Sequence, residues 1–342
     1  MNIRRFAQLQ MLAPLMILCL AASPLHRADG REPPASQAAQ PGPSTTQERI
    51  AVRTGEFKLP GALTLPEGDG PFPAVVLVHG SGPHDEDETI GPNKPFRDLA
   101  EGLAERGVAT LRYAKRTLKY GMQMDVADIT LKEEVIDDAL SAVALLKAHT
   151  KIDARRIFVL GHSLGGTCAP LIGDRDKQIA GLILLSGTPR SLLDLVDEQF
   201  EYIFNVDGKI TKKEAKTLED IHRTTQLIRE GRYDELKTPL LGAPTNYWVE
   251  LHKLDVITPA KRFGRPMLII GGGRDFQVTE KCFDAWKDGL RDCSNVTYKW
   301  YPKNNHLMMS GEGPCTPEEY MKPGHMSKKV IRDIAEWIKS PR

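Results

Sequence analysis

Arg156-Ile-Phe-Val-Leu-Gly-His-Ser-Leu-Gly-Gly-Thr167 is the stretch on which the fold turns. Ile157 to Leu160 are residues suited to a strand, and the run ends in Gly161-His162-Ser163-Leu164-Gly165, with Gly166 behind it. This fits G-x-S-x-G, a sharp strand-to-helix turn that presents a serine hydroxyl. A Cβ at Gly161 or Gly165 would crowd such a turn, while Ser163 has to accept a strained backbone. The small residues after it (Gly165, Gly166, Thr167, Ala169) suit a closely packed helix start. Backbone N–H groups there favour developing negative charge.

Outward from that turn, strands and helices alternate. Ala74-Val-Val-Leu-Val78 reads as a strand buried on both faces and runs into His79-Gly80-Ser81-Gly82-Pro83. Phe96 to Ala104 has helical spacing with Gly107 as its stop, and Val108 to Tyr113 is the next strand. Thr130-Leu-Lys-Glu133 is a capping box opening a helix along Val135, Ile136, Ala139, Leu140, Val143 and Leu146. Gly181–Leu185, Pro266–Ile270 and Val296–Tyr301 supply further strands, and a last helix from about Ser327 carries Val330, Ile331, Ile334, Trp337 and Ile338. The alternation predicts a mostly parallel, doubly wound α/β sheet, with reactive groups at the carboxyl ends of strands.

Residues 191–262 break the alternation. They are polar and helical in pattern (Leu192, Leu195, Phe200, Ile203), and predict an inserted helical cap. Within it, Asn205 to Glu214 echoes part of a calcium loop, but Ile203 stands where the first ligand belongs, and Thr211-x-x-Glu214 is better read as a capping box. Tyr247 and Trp248, near the end of the cap, are candidates for substrate-binding pocket walls or for anchors of the cap to the core.

The chain has 342 residues, 41% of them hydrophobic and 27% charged, with a formal net charge of +1. There is no basic surplus to suggest nucleic acid, and no zinc-type cysteine and histidine spacing; no metal is expected. Arg4 and Arg5 followed by the apolar run Met11–Ala22 predict a signal peptide over residues 1–23, hence an exported, periplasmic or secreted protein without stable membrane insertion after cleavage, with a retained N-terminal anchor as the competing expectation. Residues 24–48, rich in Pro, Gln and Ser, read as a disordered linker, and 49–342 as the folded domain. Cys168 reads as a small buried apolar residue; any disulfide would join two of Cys282, Cys293 and Cys315.

A serine hydroxyl needs a base held by a third group. Arg274-Asp275 follows one late strand and Asn305-His306 the next. His306 is the expected base and Asp275 the acid that fixes its tautomer, so that Ser163, Asp275 and His306 form the candidate catalytic set. The Leu164 N–H and the Ser81 N–H are the expected oxyanion donors. His79 reads as structural, His162 as pointing away from the base position and His325 as a cap or surface group. The acidic run Asp85–Glu88 reads as a solvated loop bordering the pocket.

Taken together these pieces resemble α/β-hydrolases of the dienelactone hydrolase-like and serine aminopeptidase-like group, exported bacterial esterases in particular. His79-Gly-Ser-Gly-Pro83, Thr89-Ile-Gly-Pro-Asn-Lys-Pro-Phe96, Gly161–Gly166, Arg274-Asp275 and Asn305-His306-Leu307 carry the resemblance, over about residues 50–340. Such proteins often have Asp where Ala114 stands, a departure that touches a substrate loop rather than the three catalytic candidates. The resemblance implies an acyl-enzyme mechanism, a small-molecule ester substrate and no cofactor. Amide hydrolysis and a silent binding protein on the same fold are the competing expectations.

Overall fold

The computed structural model describes residues 45–124 and 129–340. The expected signal peptide and nearly all of the expected linker lie outside the described residues. In chain order the elements begin with β1 (Thr46–Thr54), β2 (Phe57–Leu65) and β3 (Phe72–Val78). Next come α1 (Pro95–Ala104), β4 (Ala109–Tyr113), α2 (Arg116–Tyr120), a π-helical turn (Lys132–Ile136) and α3 (Asp137–Lys147). The elbow region holds β5 (Ile152–His162) and α4 (Leu164–Arg175), followed by β6 (Gly181–Leu185). The cap contributes α5 (Leu192–Asn205), α6 (Lys212–Arg229), α7 (Thr245–His252) and α8 (Ile257–Phe263). The chain ends with β7 (Met267–Gly272), α9 (Glu280–Gly289), β8 (Val296–Tyr301) and α10 (Lys328–Lys339).

The eight strands form one sheet in the order β1-β2-β4-β3-β5-β6-β7-β8. β1–β2 and β2–β4 are antiparallel; every pairing from β4 to β8 is parallel. The expected α/β-hydrolase architecture is therefore present. β3 shows why its sequence is an unbroken apolar run. Ala74, Val76 and Val78 join the core beside α3 and α4, while Val75 and Leu77 pack with Phe96, Leu99, Val330 and Ile334 of α1 and α10 on the other face. A strand covered on both faces has no polar side to display.

β1 begins at Thr46, three residues ahead of the expected domain boundary. It is an edge strand, and its first two residues are exposed, so that they have the composition of a linker. The helix expected from Thr130 starts differently too. The Thr130 N–H and hydroxyl both donate to the Glu133 carboxylate, but the hydroxyl oxygen accepts the Lys132 N–H rather than that of Glu133, and a π-helical turn precedes α3. In the cap, the Thr211–Glu214 capping box forms in full. All four cysteines from Cys168 onward are free, so no bridge joins Cys282, Cys293 or Cys315, and Cys168 is buried as expected. Among the described residues no helix is long and apolar enough to cross a membrane.

Candidate active site

β3 and β5 are neighbours, with Val78 opposite Gly161. The two loops that leave their carboxyl ends must therefore meet. Ser163 sits between β5 and α4 with φ 53° and ψ −117°, a left-sided backbone that L-residues avoid unless their surroundings impose it. The surroundings do so through the glycines. A Cβ on Gly161 would lie 2.0 Å from the Gly165 carbonyl oxygen, and one on Gly165 would lie 2.2 Å from that of Val78. Gly80, in the loop after β3, is close enough that its own Cβ would be 3.1 Å from that of Ser163.

The other two candidates come from the adjacent strands β7 and β8. Asp275 Oδ1 accepts the Gln277 and Val278 N–H groups, both at 2.9 Å, which leaves Oδ2 to accept from His306 Nδ1 at 2.7 Å. Both side chains are buried. The loop carrying His306 is held by Asn305, whose Oδ1 accepts the Leu307 and Met309 N–H groups and whose Nδ2 donates to Glu319 Oε1 at 2.8 Å. Arg274 grips the same Glu319 carboxylate with two nitrogens. This explains Arg274 beside Asp275 and Asn305 beside His306: each positions its neighbour's loop.

Ser163 and His306 line one cavity of about 610 Å³, its open mouth included. Gly80 and Ser81 form one side, and Ile90, Ile203, Phe276, Leu307, Pro317 and Tyr320 give it largely apolar walls. Gln199, from cap helix α5, closes over it and donates to the Gln277 carbonyl at 3.0 Å. Leu164 is the first residue of α4, where N–H groups have no intrahelical partner. Among the described residues the Ser81 N–H donates to no protein acceptor either.

The acidic run Asp85–Glu88 is not a solvated loop. Asp85 takes the Thr89 N–H and hydroxyl, Asp87 pairs with Arg112 at 2.9 Å, and Glu88 is 1% exposed. Glu88 accepts the Gly80 N–H at 2.6 Å and His162 Nδ1–H at 2.9 Å. Burial alone would raise the Glu88 pKa; the charge of His162 and the bond from its ring outweigh that and hold it down at about 2. His162 moves the other way. Burial lowers it, but the Glu88 carboxylate raises it above its ordinary value. Its Nε2–H donates to the His306 carbonyl at 3.0 Å, and the two rings lie 4.7 Å apart. With both nitrogens engaged, His162 is no rival base. It lies under His306 and supports it, rather than facing away. Burial holds His79 down at about 3, with Nε2–H on the Asp85 carbonyl, as befits a structural histidine, and exposed His325 pairs with Asp98.

Tyr247 and Trp248 do not line the cavity. Both are buried. The Tyr247 hydroxyl donates to Glu134 Oε2 at 2.5 Å and Trp248 Nε1–H donates to the Leu240 carbonyl at 2.8 Å. Each ring has spent its polar atom inside the protein, and of the two readings open in the sequence the structure selects the anchor.

The sequence family described as serine aminopeptidase, S33, matches residues 70–313. The chain belongs to this family. Esterase EstD of Thermotoga maritima is 45% identical over 296 residues, which cover 86% of this chain and 68% of that protein. Among solved structures, Est1E from Butyrivibrio proteoclasticus superposes with a TM-score of 0.54 at 20% identity, covering 85% of this chain and 98% of its own. The Pyrococcus furiosus esterase Pf2001 gives 0.53 at 18%, covering 92% and 98%. At such identities these structures establish the shared fold. The protein is thus an esterase-like serine hydrolase of the S33 family. Glu88 lines the cavity, and behind it Lys115 donates to the Gly80 carbonyl and pairs with Glu134; none of the three carries a signal in the sequence beyond its charge.

Proposed function

We propose that this protein hydrolyses carboxylic esters through Ser163, His306 and Asp275 by way of an acyl-enzyme. The observation that carries the reading is the 2.7 Å bond from His306 Nδ1 to Asp275, made by a histidine that shares its cavity with a strained serine at a helix N-terminus. With Nδ1 donating to Asp275, Nε2 is free to take a proton. As Ser163 Oγ attacks the ester carbonyl carbon, its proton passes to His306 Nε2. The carbonyl oxygen becomes the oxyanion and is met by the Ser81 and Leu164 N–H groups. The C–O bond to the alcohol then breaks, and His306 returns the proton to the departing oxygen. Water repeats the sequence on the acyl-enzyme, releasing the acid and restoring Ser163.

The cavity walls favour an uncharged acyl group. Ile203, Phe276, Leu307 and Tyr320 offer apolar surface, and among the described residues neither lysine nor arginine lines the cavity to receive an anion. An aminopeptidase reading would want a carboxylate available to a substrate ammonium. Glu88 is the carboxylate at the cavity, and both of its oxygens are already engaged. The test compares p-nitrophenyl butyrate with an aminoacyl p-nitroanilide, using wild type and His306→Ala. Ester turnover lost in the variant supports the reading; amide turnover exceeding ester turnover would refute it.

A further inference from the structure

We propose that Lys115 is a positioning residue of the oxyanion hole, and that Tyr247 and Glu134 tie it to the cap. The inference rests on the ester-hydrolase reading and concerns how one of its two donors is aimed. The Ser81 N–H and the Gly80 C=O belong to a single peptide unit. That unit is planar and trans, so its N–H and C=O point in opposite directions, and whatever fixes the carbonyl fixes the donor. Lys115 Nζ donates to the Gly80 carbonyl oxygen at 2.9 Å. The Lys115 side chain is 3% exposed, and the second acceptor of its ammonium group is Glu134 Oε1 at 2.7 Å. A cation on the carbonyl oxygen also draws electron density from the amide and makes its N–H the stronger donor.

The peptide units on either side are held as well. The Gly80 N–H is on Glu88, and the Ser81 carbonyl accepts His84 Nε2–H at 2.8 Å. Gly80 leaves no room for a side chain that could wedge the loop, since its Cβ would be 3.1 Å from Ser163 Cβ and 3.2 Å from Glu88 Oε1. Three consecutive peptide units around the donor are thus fixed by buried side chains, one of them a charged amine with no other use in the catalytic cycle.

Lys115 is held in turn. Glu134 lies in the π-helical turn Lys132–Ile136, an irregularity of a type often found at functional sites. Its second oxygen accepts the Tyr247 hydroxyl at 2.5 Å. Cap helix α7 grips the same segment again through Glu250, whose carboxylate accepts the Leu131 N–H at 2.9 Å. A continuous path runs from the cap through Tyr247, Glu134 and Lys115 to the Gly80–Ser81 peptide. A Tyr247 hydroxyl that reaches the chemistry from outside the cavity has a role that neither a pocket wall nor a simple anchor would have.

The test uses Lys115→Met and Tyr247→Phe in the full chain. Active sites are titrated with a fluorophosphonate, so that kcat is counted per competent Ser163. Each variant is then assayed on p-nitrophenyl butyrate and inhibited with an alkyl trifluoromethyl ketone, whose serine adduct carries an oxyanion. Lys115→Met is expected to lose about 100-fold in kcat per titrated site with KM within about threefold, and to weaken inhibitor binding by a similar factor. Tyr247→Phe, which alters no packing volume, is expected to lose about fivefold in both. A merely structural role would lower the titrated fraction and leave kcat per site and inhibitor affinity alone; that result overturns the proposal. If Lys115→Met does not fold, Tyr247→Phe decides by the same two numbers. A wild type that takes no label and turns over no ester would refute the ester-hydrolase reading itself, whereas an active, labelled wild type beside unchanged variants refutes only the role of Lys115.

Discussion

Replacing Glu88 by glutamine removes one buried charge and almost no volume, so it isolates what the Glu88–His162 pair contributes beneath the site. Glu88 has an ordinary pKa of 4.5 and is held at about 2. That difference corresponds to about 3 kcal/mol of folding free energy. Because the carboxylate is depressed, its contribution is fully present above pH 4.5 and is lost as pH falls towards 2. His162 is raised above its ordinary 6.5, so its contribution is fully present below that value and fades as pH climbs through its folded pKa. Both contributions are therefore fully present together between about pH 4.5 and 6.5. In Glu88→Gln the amide oxygen can still accept the Gly80 N–H, and the amide nitrogen can donate to His162 Nδ1, but only if that imidazole is neutral. The penalty should therefore peak at about 3 kcal/mol near pH 5.5, roughly 6 °C in Tm, and shrink at pH 3 and at pH 8. Urea unfolding of wild type and variant at these three pH values measures it. A penalty that does not vary with pH would refute the reasoning, since loss of a plain hydrogen bond has no such maximum.

Three further predictions follow from the same geometry. Asp275→Asn should keep both N–H bonds to Oδ1 but present an amide donor to His306 Nδ1, forcing the proton onto Nε2; kcat should fall about 10⁴-fold with Tm within a few degrees, measured by steady-state kinetics and calorimetry. Gly161→Ala should cost about 4 kcal/mol or prevent folding, because the new Cβ meets the Gly165 carbonyl at 2.0 Å; chemical denaturation of the soluble fraction tests it. Phe276 stacks on Tyr202 at 5.1 Å and stands between the catalytic cavity and a surface cleft lined by Glu198, Glu201 and Lys281. Phe276→Ala should open one into the other and raise the ratio of kcat/KM for octanoate over butyrate esters about tenfold, read from a chain-length series.

What could be read from the sequence had a local physical cause. Gly161 is demanded by the Gly165 carbonyl four residues on, and β3 and β6 are apolar throughout because helices cover both faces. Asp275 and His306 are legible as candidates because each follows a strand and the chain order matches that of the fold. The misreadings concern partners far apart along the chain. Glu88 sits in a run of four acids that looks solvated, and its partner His162 is 74 positions away. Tyr247 has the amphipathic ring of a pocket wall, and only Glu134, 113 positions away, shows where its hydroxyl goes. At the amino end, Thr46 and Gln47 are polar because β1 is an edge, which composition does not distinguish from a linker.

The most direct test of the central claim is covalent labelling of the purified protein with a fluorophosphonate, with peptide mass mapping and turnover of p-nitrophenyl butyrate measured on the same sample. The account predicts one label per chain, on Ser163, with ester turnover lost in proportion to labelling and both absent from Ser163→Ala. Label at another residue, or ester turnover that survives complete labelling of Ser163, would contradict it.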